Sequence, residues 1–331
     1  MLLEIANTLQ ESKIEYLENI SLKTRTWIHR GPIVPLYVIP KTILELERCI
    51  VILHHYKAKY NVVGYTSNLY FMNSYKVDAI VTTVKLTKVD FKEDIIECDT
   101  GVNISQLSKQ CVEKGYLGFE GLVGLPGTVG AAFVNNSSCF KCSVSKITKY
   151  ATALIIQESG SLEKAIITAD DMHFSHRSSA IKRGELKAIL LTIGLKIQKT
   201  GNIEELKSIM SSNLKHRKTT QEGPANNLGS VFTRRDARPL GLMDLGIARF
   251  PYVLLYRVCD HFFRNNNIYR LKRNTLLLRL YGYKDVIPYV SPKNINCFLW
   301  LDDRADTAFL RYQDFMHKCF DCGNIEIEIY S

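Results

Sequence analysis

Apolar and polar positions recur along this chain with two different periods, and the switches between them mark its elements. Leu36–Ile39 is a short apolar run that stops at Pro40, which reads as a strand. From Thr42 to Tyr56 the apolar positions return at three- and four-residue spacing, the pattern of a helix with one buried face. Asn61–Gly64 reads as a second strand, and the polar corner Gly64-Tyr65-Thr66-Ser67-Asn68 leads from it into a third apolar run. Ala79–Val84 and Ile95–Cys98 read as further strands, and Asn103–Glu113 as a helix capped by Asn103 or Ser105. This order is that of an α+β chain, not of a regularly alternating doubly wound sheet. The helical stretch Ile203–Lys218 runs into the polar, Gly- and Pro-bearing segment Thr219–Asn227, a change of composition that marks a boundary. Beyond it Tyr252–Phe263 and Ala305–Phe320 have the period of amphipathic helices, and Ile325–Ile329 alternates as a closing strand.

Composition narrows the class. The chain has 331 residues, 46% apolar and 23% charged, which excludes disorder as its main state. A single core stops growing at roughly 250–300 residues, so more than one domain is expected. No apolar run approaches the ~18 residues of a membrane-crossing helix, and no repeat points to a solenoid or propeller. Glu4 stands early and no basic n-region precedes an apolar stretch, which speaks against a secretory leader. Nine scattered cysteines fit the reduced thiols of a cytosol, so a cytoplasmic location is expected. Forty-three basic against thirty-three acidic residues give a net charge of +10, a field that favours anionic partners. Nucleic acid, phosphate-bearing cofactors and sugar nucleotides all qualify. The densest basic stretches, Lys215–Lys218 and Arg264–Arg273, have neither the period nor the fold signature of a nucleic-acid module, so no nucleic-acid partner is expected.

The sharpest local feature is Gly124-Leu125-Pro126-Gly127-Thr128-Val129-Gly130-Ala131-Ala132. A Pro-Gly turn running into small residues lets backbone N–H groups approach a pyrophosphate at a helix N-terminus. It serves equally as a tight turn with close helix packing. The corner Gly64–Asn68 could also offer amides to phosphate, although Ser-Asn after a strand is most often a plain turn. Cys139-Phe140-Lys141-Cys142 and Cys319-Phe320-Asp321-Cys322 are two CxxC pairs, the raw material of a Cys₄ zinc site. Their separation far exceeds zinc-ribbon spacing, and small apolar packing positions explain them as well, so no metal is expected.

Order along the chain raises these signals. Glu18-Asn19 through Leu22-Lys23-Thr24-Arg25-Thr26-Trp27 resembles the opening of the UDP-N-acetylenolpyruvoylglucosamine reductase family. Gly64–Asn68 stands where that family has a Gly-x-Gly-Ser-Asn corner, and Gly124–Gly130 matches its Gly-Ile-Pro-Gly-x-Val-Gly segment. His176-Arg177-Ser178-Ser179-Ala180-Ile181-Lys182 resembles Tyr-Arg-x-Ser-x-Phe-Lys, and Gly229-Ser230-Val231-Phe232 resembles Gly-Ser-x-Phe. Ser291–Phe298 and Ile325–Ile329 are similar to its closing Ser-x-Lys-x-x-Asn-x-Phe and Leu-Glu-Pro-Glu-Val. The chain departs from the pattern at Tyr65 and Thr66 in the first corner, at Arg30, across Ser138–Lys141, at His176 and at Ile327.

The resemblance implies a two-subdomain FAD-binding fold of the vanillyl-alcohol-oxidase type plus a C-terminal α+β substrate domain. The expected boundaries are 1–86 and 87–218 for the FAD subdomains and 219–331 for the substrate domain, its last strand returning towards the flavin. It implies a flavin-dependent oxidoreductase using FAD, with NADPH as hydride donor and a UDP-sugar as small-molecule substrate. A flavoenzyme acting on another nucleotide sugar or enolpyruvyl compound, or a non-catalytic flavin-binding relative, is the alternative. Carried onto this sequence, the family's catalytic residues are Arg177, Ser230 and Glu328. Its cofactor-binding residues are Gly64, Tyr65, Thr66, Ser67, Asn68, Gly124, Pro126, Gly127, Thr128, Gly130 and Asn136. The types suit the chemistry. Hydride addition to an enolpyruvyl group leaves an enolate, which needs an arginine fork at its carboxylate, a proton donor for carbon and a carboxyl group to assist.

Overall fold

The structure is a computed structural model, and it describes residues 1–200, 202–223, 225–233, 267–320 and 322–331, with 254, 258, 261 and 262. Of the expected helix Tyr252–Phe263 only 254, 258, 261 and 262 are described, and residues 264–266 of the basic stretch Arg264–Arg273 lie outside the described residues. In chain order the elements begin with α1 (Leu2–Glu11), β1 (Tyr16–Ser21), β2 (Ile33–Val38), α2 (Ile43–His55), β3 (Tyr60–Val63), β4 (Leu69–Phe71) and β5 (Ala79–Thr82). They continue with β6 (Val89–Phe91), β7 (Ile95–Asp99), α3 (Ile104–Glu113), α4 (Val129–Val134), β8 (Ser138–Cys139), β9 (Cys142–Ser143) and α5 (Val144–Ile147). The remainder are β10 (Thr148–Ile156), β11 (Leu162–Thr168), β12 (Ala188–Lys196), α6 (Ile203–Thr220), α7 (Asn267–Leu280), α8 (Ala305–Cys319) and β13 (Glu328–Tyr330).

Local chemistry sets the helix starts. Thr42 caps α2, its side chain accepting from Glu45 N at 3.1 Å while the Glu45 carboxylate accepts from Lys41 N at 2.8 Å, a reciprocal arrangement that satisfies two orphan donors. Asn103 caps α3 through Gln106 N at 2.9 Å. Ser105, the other expected cap, instead accepts from Gly124 N at 2.6 Å and ties the glycine-rich segment to α3. The strands β10, β11 and β12 follow no expectation from the sequence; β10 and β12 mix buried and half-buried positions without clean alternation, and β11 is mostly exposed.

The chain divides into two compact units. The first comprises Met1–Thr26, Gly31–Ser67 and Ser74–Arg217. It holds a four-stranded sheet in the order β1-β2-β5-β3, with β1 antiparallel and the other three parallel, and a five-stranded antiparallel sheet in the order β11-β10-β12-β7-β6. The buried faces of α1 and α2 (Ile5, Leu9, Leu46, Ile50, Leu53) pack on Leu36, Val38 and Val81 of the first sheet. Leu154 and Leu191 of the second sheet complete that core. A separate core joins α3 and α4 to the five-stranded sheet through Leu107, Cys111, Val129, Phe133, Ala151 and Ile193.

The second unit comprises Trp27–Arg30, Asn68–Asn73 and Lys218–Ser331. Two short pieces of the N-terminal third thus belong with the C-terminal part of the chain rather than with their neighbours. β13 pairs in parallel with β4, Glu328 opposite Leu69 and Tyr330 opposite Phe71. Its core is aromatic: Phe298, fully buried, contacts Tyr289, Trp300, Phe309 and Tyr312 with ring centroids 4.9–5.8 Å apart. Rings at these separations add about 0.5–1.5 kcal/mol per pair beyond the area they bury. Phe298→Ala should therefore cost about 3–5 kcal/mol. Of the chain's two tryptophans Trp300 sits in this core and Trp27, half-buried, packs against it, so denaturant unfolding of the apoprotein followed by tryptophan fluorescence reads that loss directly.

Candidate functional site

Within the first unit two corners far apart in sequence are pressed together. Ser67 Oγ donates to the Pro126 carbonyl at 3.0 Å. A Cβ on Gly64 would lie 2.4 Å from Thr128 Oγ1 and 2.9 Å from its methyl, so the first corner closes on the second only because residue 64 has no side chain. Gly130 is equally constrained, since a Cβ there would sit 1.8 Å from Thr100 Oγ1 and 3.0 Å from the Thr100 carbonyl. At Gly64 and Gly130 protein neighbours by themselves leave no room for a side chain. Gly127 differs. It is buried at φ +141°, and a Cβ there would meet only Ser67 Oγ, at 3.4 Å.

The amides sort in the same way. Val129 N donates to the Val102 carbonyl at 2.8 Å, and Gly130 N to the Thr100 carbonyl at 2.9 Å. Thr128 Oγ1 takes Ala131 N at 3.3 Å as the cap of α4. The first turn of α4 therefore holds no amide in reserve for an anion, contrary to the helix-terminus reading. Among the described residues the Gly127 and Thr128 N–H groups have no backbone acceptor, and they lie beside Ser67. An FAD pyrophosphate fits this cradle, because donors remain where a side chain is missing. In the first corner Thr66 is buried at φ +56°, a left-handed conformation that is uncommon for a β-branched residue, while Tyr65 is half-buried. Gly124 and Pro126 shape the other side, Gly124 at φ +81° with Arg217 and Leu214 packed against it.

Asn136 stands at the opposite end of α4 from the corners. Its Nδ2 donates to the Ser175 carbonyl at 2.7 Å and its Oδ1 accepts from Ser145 N at 3.1 Å. Ser175 and Ser178 exchange backbone hydrogen bonds of 3.1 and 3.2 Å, closing a two-residue turn that carries His176 and Arg177. Arg177 is half-buried at φ +55°.

Ser230 and Glu328 belong to the second unit. The segment Ser230–Phe232 lies between two others: Val231 N donates to the Asn296 carbonyl at 2.9 Å, and the Val231 carbonyl accepts from Glu326 N at 2.7 Å. Asn296, 4% exposed, grips Phe232 at both backbone groups, accepting from its N at 3.0 Å and donating to its carbonyl at 2.8 Å. Asn68 joins the same assembly, its carbonyl accepting from Glu328 N at 2.9 Å and its Nδ2 reaching the Glu326 carbonyl at 3.3 Å. Ser230 and Glu328 are both half-buried in an arrangement that fixes their backbones on two sides. The sequence marks Asn296 only by its place in the closing motif, and its grip on the serine segment is a tertiary feature. Arg30, where the family pattern has a glycine, is 8% exposed and paired with Asp303.

The cysteine pairs are packing residues in their own units. Cys139 and Cys142 face each other across the β8–β9 hairpin, and Cys319 ends α8. Burial pushes the Cys142 and Cys319 thiols up to about 12. Among the described residues no group of three or more His, Cys, Asp or Glu could hold a metal ion, and no helix is long and apolar enough to cross a membrane.

This arrangement matches known proteins along most of its length. The FAD binding domain family matches residues 34–157, which include both corners. The chain is therefore a flavin-binding oxidoreductase of α+β build. A UDP-N-acetylenolpyruvoylglucosamine reductase of Caldicellulosiruptor saccharolyticus is 30% identical over 228 residues, 68% of this chain and 71% of that relative. One from Prochlorococcus marinus is 30% identical over 249 residues, 73% of this chain and 82% of the relative. The solved structure of a UDP-N-acetylenolpyruvylglucosamine reductase from Thermus caldophilus aligns with a TM-score of 0.64, covering 96% of this chain and 99% of its own, at 17% identity that speaks for the fold alone. The chain belongs to the UDP-N-acetylenolpyruvoylglucosamine reductase family.

The packing at Gly130 is testable without any ligand. Gly130→Ala forces its methyl into Thr100 and should destabilise the apoprotein by about 1–3 kcal/mol, measured as a lowered midpoint in a circular-dichroism melt. An unchanged midpoint would return Gly130 to the ligand side of the account.

Proposed function

We propose that this chain is an FAD-dependent, NADPH-linked reductase. It reduces the enolpyruvyl ether of UDP-N-acetylenolpyruvoylglucosamine to the lactyl ether, giving UDP-N-acetylmuramate for peptidoglycan precursors. The observation that carries this reading is the pair of touching corners inside the region matched by the FAD binding domain family, in a chain 30% identical to reductases of that name. Residues 1–86 and 87–218 are read as the subdomains that hold the flavin, and 219–331 as the substrate domain. The Gly127 and Thr128 amides, with Ser67, serve the pyrophosphate. Gly64 and Gly130 serve by letting the corners close, and Tyr65, Thr66, Asn68, Gly124 and Pro126 shape them. A net charge of +10 suits three anionic partners, the flavin dinucleotide, NADPH and a UDP-sugar. The cytoplasm, where such substrates are made, is the assigned location.

FAD, which the Gly127 and Thr128 amides and Ser67 would hold, would supply NADPH-derived hydride to the vinyl carbon distal to the ether oxygen. The chain's own residues manage the charge and the proton that follow. As the π electrons move towards the carboxylate, Arg177 offers a planar fork of donors to the growing negative charge. Ser230 Oγ donates the proton that the ether-bearing carbon requires, which completes the lactyl group. Glu328 assists by holding the enolate or returning a proton to the serine.

The first test is optical. The purified protein, or the apoprotein after incubation with FAD, should carry a flavin spectrum. Gly127→Val should lower the flavin retained through gel filtration, and equal retention by two folded proteins would remove Gly127 from the pyrophosphate site. The second test splits the reaction. Ser230→Ala should leave flavin reduction by NADPH near the wild-type rate and slow reoxidation by UDP-N-acetylenolpyruvoylglucosamine ~10²–10⁴-fold, about 3–5 kcal/mol of barrier. Stopped-flow absorbance follows each half separately, and equal slowing of both halves makes the serine structural. Wild-type protein that NADPH reduces but the UDP-sugar never reoxidises would keep the flavin assignment and exchange the substrate.

A further inference from the structure

Arg177 carries a bulky side chain in a backbone conformation that favours glycine, at φ +55°, so something must hold its turn. The turn is strapped to the C-terminal end of α4 at three consecutive residues. Ser179 Oγ, fully buried, donates to the Val134 carbonyl at 2.6 Å. Lys182 Nζ donates to Asn135 Oδ1 at 2.6 Å. Asn136 Nδ2 donates to the Ser175 carbonyl at 2.7 Å, and Ser175 is itself one half of the pair that closes the turn. Phe133 and Phe174 add an edge-to-face contact with centroids 5.3 Å apart.

Of the three straps, only the one from Asn136 ends on the turn's own closing residue. The asparagine is also fixed from both sides. It is 7% exposed and sits at φ +40° just past the helix, where an asparagine is tolerated and its N–H reaches back to the Phe133 carbonyl at 3.1 Å. Its Oδ1 is held by Ser145 N at 3.1 Å, which fixes the amide's orientation and aims Nδ2 at Ser175. Both ends of the side chain are therefore committed to protein backbone. α4 spans only six residues, about 9 Å, so it acts as a short rigid spacer from the corner at Thr128 to the arginine turn.

We propose that Asn136 is a positioning residue for Arg177, acting through the Ser175 carbonyl to hold the guanidinium where it meets the substrate carboxylate. This rests on the reading of Arg177 given above. It gives Asn136 a role towards the arginine turn in place of one in holding the cofactor.

The test uses two variants. Asn136→Gly accepts the left-handed backbone without strain and removes both side-chain bonds. Asn136→Asp keeps an acceptor for Ser145 N and sets a second carboxylate oxygen, with no proton to donate, against the Ser175 carbonyl. Both should retain FAD as the wild type does and be reduced by NADPH at near the wild-type rate. Calorimetric titration of the oxidised holoenzyme with UDP-N-acetylenolpyruvoylglucosamine should show affinity about 10-fold weaker, and flavin reoxidation should slow about 10–100-fold. Arg177→Ala combined with Asn136→Gly should be no slower than Arg177→Ala alone, because the asparagine acts only through the arginine. Loss of flavin from both variants, unchanged substrate affinity and reoxidation, or full additivity in the double variant would each overturn the proposal. An Arg177→Ala protein with wild-type affinity and reoxidation would instead remove the assignment of Arg177, and the proposal with it.

Discussion

The closure of one corner on another is the constraint from which the rest of the first unit follows. Gly64 leaves no room for a methyl beside Thr128, and Ser67 spans the junction to Pro126. Thr128 is also the cap of α4, so the corner that fixes Thr128 fixes where that helix begins. A short helix of six residues cannot bend appreciably, and its far end then determines where Asn136 stands. A contact between two loops thus sets, within one packed unit, the position of an arginine more than a hundred residues from the first of them.

Strain is distributed along the same path. Thr66, Asn136 and Arg177 all adopt positive φ without being glycine. A non-glycine residue there costs roughly 1–2 kcal/mol relative to its preferred conformation. Each is over-determined by its surroundings. Thr66 is buried in the closed corner, Asn136 is hydrogen-bonded at both ends of its amide, and Arg177 sits in a turn closed by two backbone bonds. Three of the eleven non-glycine residues at positive φ among the described residues thus stand at the proposed flavin contact, the arginine turn and the helix end between them.

The second unit uses a different device for the same end. Its serine segment is a single extended stretch with a partner on each side, and the buried amide of Asn296 substitutes for the backbone groups a full strand would supply. The aromatic residues around Phe298 and Trp300 belong to the same buried core as Val231 and Phe232 of that segment. The unit borrows Trp27–Arg30 and Asn68–Asn73 from early in the chain, so the strand bearing Glu328 finds its partner in β4 only after both ends of the sequence exist.

Periodicity and motif order made a large part of this legible from the sequence. The helices α2, α3, α6 and α8 and the strands β2, β3, β5 and β7 stand where a reading of the residues puts them. These are local signals, set by side-chain spacing, caps and backbone-permissive residues. The long antiparallel strands β10 and β12 were not legible, because a strand with adjacent residues buried loses the alternation that identifies it. Nor could the sequence say which amides at the corner remain available, since Val102 and Thr100 reach Val129 and Gly130 only in the folded sheet. The sequence also does not show the partners of the Asn136 amide, one of them 39 residues away. Side-chain-to-backbone bonds between distant segments have no period and no fixed spacing. Only the tertiary structure decided them.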